Sequence, residues 1–195
     1  LSYESSIIGF SESIKTFLKV RSAIKTNDFY SLISVSINEV NAEIKTGSGN
    51  NLNEYKNIFK SDFRFKNSGE DRDSEKYVFT FSGETSMETM PTDQVNFRNY
   101  YSSKVLIDNL KENALQNNLS VEKVRERRTT AVGSLKITPV IFKVSGKDDR
   151  ILEFLETIRN LKWNINVRKL SAVSRISGSG SLEAQLIIDF DVLSK

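Results

Sequence analysis

The chain has no histidine and no cysteine among its 195 residues. These two absences together remove Ser-His-Asp and Cys-His catalysis, thiolate nucleophiles, zinc centres and iron–sulfur clusters. Acid–base chemistry would fall to carboxylates, lysine or tyrosine, each of which needs a strongly shifted pKa to act near neutral pH. Carboxylate-held Mg²⁺ or Ca²⁺ stays open on composition alone, yet no metal or other cofactor is expected, and the chain reads as a non-enzyme. Without cysteine there is no disulfide framework, so the redox compartment is not indicated. Proline is scarce, at two residues. No run reaches the roughly 18 apolar residues of a membrane span.

What is present is ordinary for a globular protein: 38% hydrophobic and 27% charged residues. Lys+Arg exceed Asp+Glu by 28 to 25, giving a sequence pI near 9.0. The charges are interspersed, whereas nucleic-acid binding needs a concentrated basic face, so no nucleic-acid partner is expected. The first residue is Leu rather than Met, and the expectation is a processed form or an excised fragment with any anchor lying upstream.

Three regions follow from periodicity. Residues 1–47 read as helical. Ile7, Phe10, Ile14, Phe17 and Ile24 are spaced 3, 4, 3 and 7, an a/d seam with Arg21 at one seam position. The seam is either a coiled coil or an amphipathic helix packed on its own domain. A second helical spacing, Phe29, Ile33, Ile37, Val40 and Ile44, continues the region. Residues 48–92 read as a Phe-rich β-hairpin region. Phe59, Phe63 and Phe65 would share one strand face, "KNSGEDRDSEK" would be a polar loop, and Tyr77, Phe79 and Phe81 would share a face of the return strand. A boundary is placed in "ETSMETMPTDQ".

Residues 93–195 read as helix, two strands, helix and two strands. Helical spacing runs through Phe97, Tyr101, Val105, Leu106 and Leu110. In "LSVEKVRERRTT" Val121 and Val124 fall out of phase, which predicts a bulge or an edge. Pro139 restricts the next strand to an edge or bulge at its start. Leu182, Ala184, Leu186, Ile188, Phe190 and Val192 alternate with polar residues, the clearest strand pattern in the chain. The order α-β-β-α-β-β predicts an α+β two-layer sandwich, ferredoxin-like in a circularly permuted form.

The stretch "SGKDD" at 145–149 invites a phosphate-loop or metal reading. The upstream glycine of a P-loop is missing, and an aspartate stands where a Ser/Thr hydroxyl would hold Mg²⁺. Two adjacent aspartates cannot supply an EF-hand's ligands. The structural reading has Gly146 turning the chain out of a strand and Asp148 or Asp149 capping the helix that follows. "VFTFSGE" at 78–84 matches "IFKVSGK" at 141–147 in pattern, so either an internal duplication or a reused sheet edge is open. "RERR" at 125–128 reads as a charged edge strand, and Trp163 as a core anchor.

The strand "VIFKVSGK", the helix "DDRILEFLETIRNL", the strand "WNINVRKLSAV" and the closing "LEAQLIIDFDVL" resemble the extracytoplasmic domain of PilO-type proteins and of the related GspM-type proteins of type II secretion. The resemblance covers about 93–195. It implies a non-catalytic scaffold of a type IV pilus or type II secretion inner-membrane platform. It also implies a membrane-anchored, periplasmic domain acting as a homodimer or as a heterodimer with a PilN-type partner. The seam Ile7, Phe10, Ile14, Phe17 and Ile24 sits where that architecture places its coiled coil and is the expected interface. Residues 48–92 exceed the family pattern, as an insertion or as half of a second module. The alternative is a ferredoxin-like RNA- or ligand-binding domain. Against it stand the missing "GFGFV"-type motif and the acidic Asp189 and Asp191 on the polar strand face.

Overall fold

The computed structural model describes residues 6–62, 64–73, 76–85, 90–91, 101–161, 164–178 and 180–194. The boundary at 84–94, Phe97 and Trp163 lie wholly or partly outside them.

In chain order the elements are β1 (Ser6–Ile7), α1 (Phe10–Ser22), β2 (Phe29–Ser36), β3 (Val40–Thr46), α2 (Gly49–Asp62), β4 (Arg64–Asp73), β5 (Lys76–Glu84) and β6 (Met90–Pro91), followed by α3 (Ser103–Gln116), β7 (Ser120–Glu126), β8 (Thr130–Val132), β9 (Leu135–Lys147), α4 (Asp148–Arg159), β10 (Ile165–Ile176) and β11 (Leu182–Ser194). β1 and β6 form a short pair of their own. All other strands join one nine-stranded antiparallel sheet in the order β4-β5-β3-β2-β10-β11-β9-β7, with β8 also on β9. One hydrophobic cluster runs beneath the whole sheet and includes residues of all four helices.

The sheet consists of two modules in tandem. Residues 10–84 give α1-β2-β3-α2-β4-β5, and residues 103–194 give α3-β7-β9-α4-β10-β11. Counting strands within each module, both have the spatial order 3-4-2-1. The irregularities match too. Each first strand is bulged near its start, between Tyr30 and Leu32 in β2 and between Val121 and Lys123 in β7. Each third strand is bulged, between Phe65 and Asn67 in β4 and between Val167 and Lys169 in β10. The helix before each third strand buries a 3-then-4 stripe: Leu52, Tyr55 and Phe59 in α2, and Ile151, Phe154 and Ile158 in α4. The similar stretches "VFTFSGE" and "IFKVSGK" do not correspond in this repeat, because they fall on a fourth strand, β5, and a second strand, β9.

Two sequence expectations are overturned. Residues 29–46 are a β-hairpin, not a helix. Tyr30 and Ile33 both face the core although they are three apart, because the bulge inserts a residue between them; that spacing imitates a helical turn. Residues 49–62 are helical, so Phe59 packs from α2, while the "polar loop" 66–76 is mostly the edge strand β4. A strand with β5 on one side only can stay polar because its ladder is made with that neighbour. Residues 49–84, described as α2, β4 and β5, are therefore the second half of the first module. The bulge expected at Val121/Val124 is present, and Pro139 sits between the stretches of β9 paired by β7 and β8. At the end of α3, Asn118 takes φ 56° and the Leu119 amide reaches back to the Ala114 carbonyl, a Schellman closure.

The modules meet at β2 and β10, through Ile33↔Ala172, Ser34↔Ser171, Val35↔Leu170 and Ser36↔Lys169. Ile33, Val35, Leu170 and Ala172 are buried. Leu170→Ala is expected to cost about 2–5 kcal/mol while urea unfolding stays a single transition across spectroscopic probes. Two separated transitions would show that the modules fold independently.

Candidate interaction surfaces

The predicted association seam is used internally. α1 starts at Phe10, after Gly9, and Ile7 lies in β1 opposite Met90. Phe10, Ile14, Phe17 and Ile24 are buried in the common core, and Phe10 meets the Phe190 ring edge-on at 5.9 Å. Of the two readings left open, the helix packed on its own domain is the one observed, because the sheet beneath α1 supplies the apolar partner a coiled coil would otherwise need.

Arg21, the polar intruder in that seam, closes a buried contact between the modules. Its Nε and Nη2 donate to Asp148 Oδ2 at 3.0 and 2.9 Å, and the Tyr30 hydroxyl donates to Asp148 Oδ1 at 2.5 Å. The guanidinium also lies 5.7 Å from the Tyr30 ring centre. Asp148 thus holds α1 and β2 of the first module from the first residue of α4 in the second. It does not cap α4, whose N-cap is Lys147 with no side-chain bond, and Asp149 accepts from the neighbouring Arg150 amide. Gly146 stays within β9 instead of turning the chain. A Cβ there would come within 2.6 Å of Leu119, so the glycine makes room for that buried side chain. "SGKDD" is a seam, as read, but one that welds two modules.

A second buried pair lies within the first module. The Tyr55 hydroxyl donates to Asp28 Oδ2 at 2.5 Å and accepts from the Lys25 amide, and Asn51 donates to the same carboxylate oxygen. Burial, followed by the hydrogen bond to an aspartate or its charge, pushes both Tyr30 and Tyr55 far above the ordinary phenol range. A phenol held neutral in this way is a structural donor. Among the described residues no cluster of three or more acidic ligands is placed to hold a metal ion.

The helix-free face of the sheet is mixed, with Glu43, Thr80, Ser171 and Gln185 interleaved with Leu32, Ile141, Val173 and Ile187. Phe79, Phe81, Phe142 and Phe190 all lie buried in the core under the helices, so the described open face offers no row of aromatics on which bases could stack. Asp189 and Asp191 are not a free acidic field, because Arg168, at the β10 bulge, pairs with Asp189 and lies 3.5 Å from Asp191. The repulsion expected from the sequence is therefore cancelled locally.

The strongest charge feature is at the sheet edge. Lys123, Arg125, Arg127 and Arg128 are exposed on and just after β7 and make no ion pair among the described residues. The acids between them are engaged elsewhere: Glu122 with Lys143 at 3.1 Å and with Gln185, and Glu126 with the Ser103 hydroxyl. Hydrogen bonds from Ser145 and Lys143 hold the Glu122 carboxyl below its usual range. The sequence marked "RERR" as an edge; it could not reveal that its acids are already taken.

No protein-family model matches the chain, and no curated protein matches it. Among solved structures, the crystal structure of the type 4 fimbrial biogenesis protein PilO from Pseudomonas aeruginosa is similar at 13% identity and a TM-score of 0.41, covering 50% of this chain and 72% of that one. An overlap of that size is too small to carry function from one protein to the other. No helix among the described residues is long and apolar enough to cross a membrane.

Removing Asp148 strands the Tyr30 hydroxyl in the core, and Asp148→Ala is expected to cost about 3–5 kcal/mol in urea unfolding. Alkaline pH tests the tyrosines. Their folded pKa values lie above the unfolded value near 10, so their contribution is complete below pH 10 and is lost as pH rises beyond it. The expected slope is about 1.4 kcal/mol per pH unit for each tyrosine. Tyr30→Phe should be less stable at pH 7 but lose stability less steeply above pH 10; an unchanged slope would contradict the assignment.

Proposed function

We propose that the chain is a non-catalytic assembly scaffold of a cell-envelope machine of the type IV pilus or type II secretion platform kind. The observation that carries this reading is the 3-4-2-1 strand order, present twice. Moving the last strand of an α-β-β-α-β-β unit to its front turns 3-4-2-1 into 4-1-3-2 with the order β-α-β-β-α-β, the ferredoxin-like arrangement. Each module is, on this reading, a circularly permuted ferredoxin-like unit. The sequence resemblance to PilO-type and GspM-type domains spans residues 93–195, which is the second module, and the first repeats its plan.

Three further features support a holding role. The buried Tyr30 and Tyr55 hydroxyls are held by Asp148 and Asp28 in contacts between elements, and the open cavity that Asp28, Arg21 and Asp148 border therefore has its carboxylates already engaged. The modules share one core, which suits transmission of position and load better than it suits ligand capture. The exposed features include a basic edge that makes no ion pair among the described residues and a mixed sheet face carrying Val173, the kind of surface that protein partners use. The scaffold would act in the extracytoplasmic space, anchored by a segment outside the described fold, and partner a PilN-type protein or another platform component. Self-pairing through the α1 stripe is not part of this reading, because the stripe is consumed in the core.

Disrupting the gene in its own cells is expected to abolish surface fibres or secretion while the unassembled subunit or substrate accumulates inside. Complementation with wild type should restore them, and complementation with Asp148→Ala should do so only partly. Normal assembly in the disrupted strain would overturn the reading.

A further inference from the structure

The two modules are joined by the first strand of one and the third strand of the other, and the molecule's outer edges are the same two kinds of strand. β7 is the first strand of the second module and β4 the third strand of the first. Among the described residues neither carries a further neighbour on its outer side. The edges left open by one chain are therefore of the two types that this chain already pairs internally.

We propose that copies of this chain associate head to tail, with β7 of one copy pairing antiparallel with β4 of the next, so that the sheet continues from molecule to molecule. The matched bulges supply the register. Counting from them, Ile33, Ser34, Val35 and Ser36 of β2 correspond to Val124, Arg125, Glu126 and Arg127 of β7. In the same way, Lys169, Leu170, Ser171 and Ala172 of β10 correspond to Asn67, Ser68, Gly69 and Glu70 of β4. Transferring the internal pairing puts Val124 opposite Glu70, Arg125 opposite Gly69, Glu126 opposite Ser68, and Arg127 opposite Asn67. Within these four pairs no like charges face each other; one step further Lys123 faces Asp71 at one end and Arg128 meets Lys66, the bulged residue of β4, at the other.

Strand type and bulges select among the possible edge pairings. β7 against β7 centred on Glu126 would set Arg125 against Arg127, a destabilising arrangement. β4 carries three acids and three bases, and its Glu70 is already paired with Lys56, so charge alone does not decide against β4 with β4. Only the mixed pairing reproduces the first-strand to third-strand joint that the chain already makes. Being heterologous, it leaves a free edge at each end and builds an open row, not a closed dimer. It is weaker than the internal joint, because the buried Val35 and Leu170 are replaced by Glu126 and Ser68. The association is therefore reversible and rises with concentration. It stands apart from the scaffold reading: a platform adapter that never self-associates would satisfy that proposal and not this one.

The absence of native cysteine allows a clean test. Directly opposed residues of an antiparallel pair lie about 4.5–5.5 Å apart at Cα, which suits a disulfide. The full chain carrying Ser68→Cys and Glu126→Cys should give, on mild oxidation, a ladder of dimer, trimer and higher species. A control with Ser68→Cys and Lys111→Cys should give no such ladder. In sedimentation equilibrium the wild type should show a weight-average mass that rises past the dimer. Ser68→Glu, which sets a carboxylate against Glu126 of the next copy, should weaken this at least about tenfold, and adding Glu126→Lys should restore it. A monomer at every concentration would overturn the proposal and leave the edges as guarded ends or as seats for a different acidic strand. So would a mass that stops at the dimer, or a ladder equal in the control.

Discussion

The structure depends on the four-residue joint between β2 and β10. A four-stranded layer with two helices has little core of its own, and small domains bury too small a fraction of their surface to be robust. Pairing Ile33, Val35, Leu170 and Ala172 across the joint merges two such layers into one cluster. The ladder fixes the sheet but not the helices above it, which could still slide over one another. The Arg21–Asp148–Tyr30 contact supplies that second constraint, tying α1, β2 and α4 at one point. A buried ion pair adds little net stability compared with apolar packing. Its value lies in specificity: only one placement of α4 against α1 satisfies Asp148 from both sides.

The second module was legible in the sequence and the first was not. In residues 103–194 the closing strand alternates cleanly, and the irregularity at Val121 and Val124 was recognisable as a bulge because charged residues surround it, although the bulge between Val167 and Lys169 was not foreseen. The matching first-strand bulge in β2 lies among apolar and small residues, and the spacing of Phe29, Ile33, Ile37, Val40 and Ile44 passed for a helix. The alternation in "FYSLISVS" is blurred further because Ser34 is buried at the joint. α2 was hidden for a different reason. Its buried stripe Leu52, Tyr55 and Phe59 is short, and the aromatic Phe59, Phe63 and Phe65 together imitate a strand. Both errors removed one α-β-β-α-β-β unit from view, so a repeat of whole modules was reduced to a match of seven residues in non-equivalent strands.

The polar contacts were even less readable. Arg21 interrupted an apolar seam and could be counted only as a defect, since its partner lies 127 positions away. Asp148 sat at a helix start, where an aspartate ordinarily caps; a cap and a long-range partner look the same until the fold is known. Asp189 and Asp191 read as a repelling acidic face because the arginine that neutralises them comes from the neighbouring strand. In each case the residue type was visible and its bonding partner was not.

The two modules differ in residue character where position in the tandem differs. At the first-strand position the inner module carries Val35 and the outer one Glu126; at the third-strand position β10 carries Leu170 and Ala172 where β4 carries Ser68 and Glu70. Burial explains the first member of each pair. Exposure to water explains the second, since an apolar free edge would pair without discrimination. Yet the substitutions are not simply charged. In the transferred register they place Gly69, Ser68 and Asn67 of β4 opposite Arg125, Glu126 and Arg127 of β7. Neither edge is of one sign: β4 carries Arg64, Lys66 and Arg72 beside Glu70, Asp71 and Asp73, and β7 carries Glu122 and Glu126 beside Lys123 and Arg125. Mixed charge of this kind keeps a free edge hydrated and makes any pairing depend on register, which an apolar edge would not.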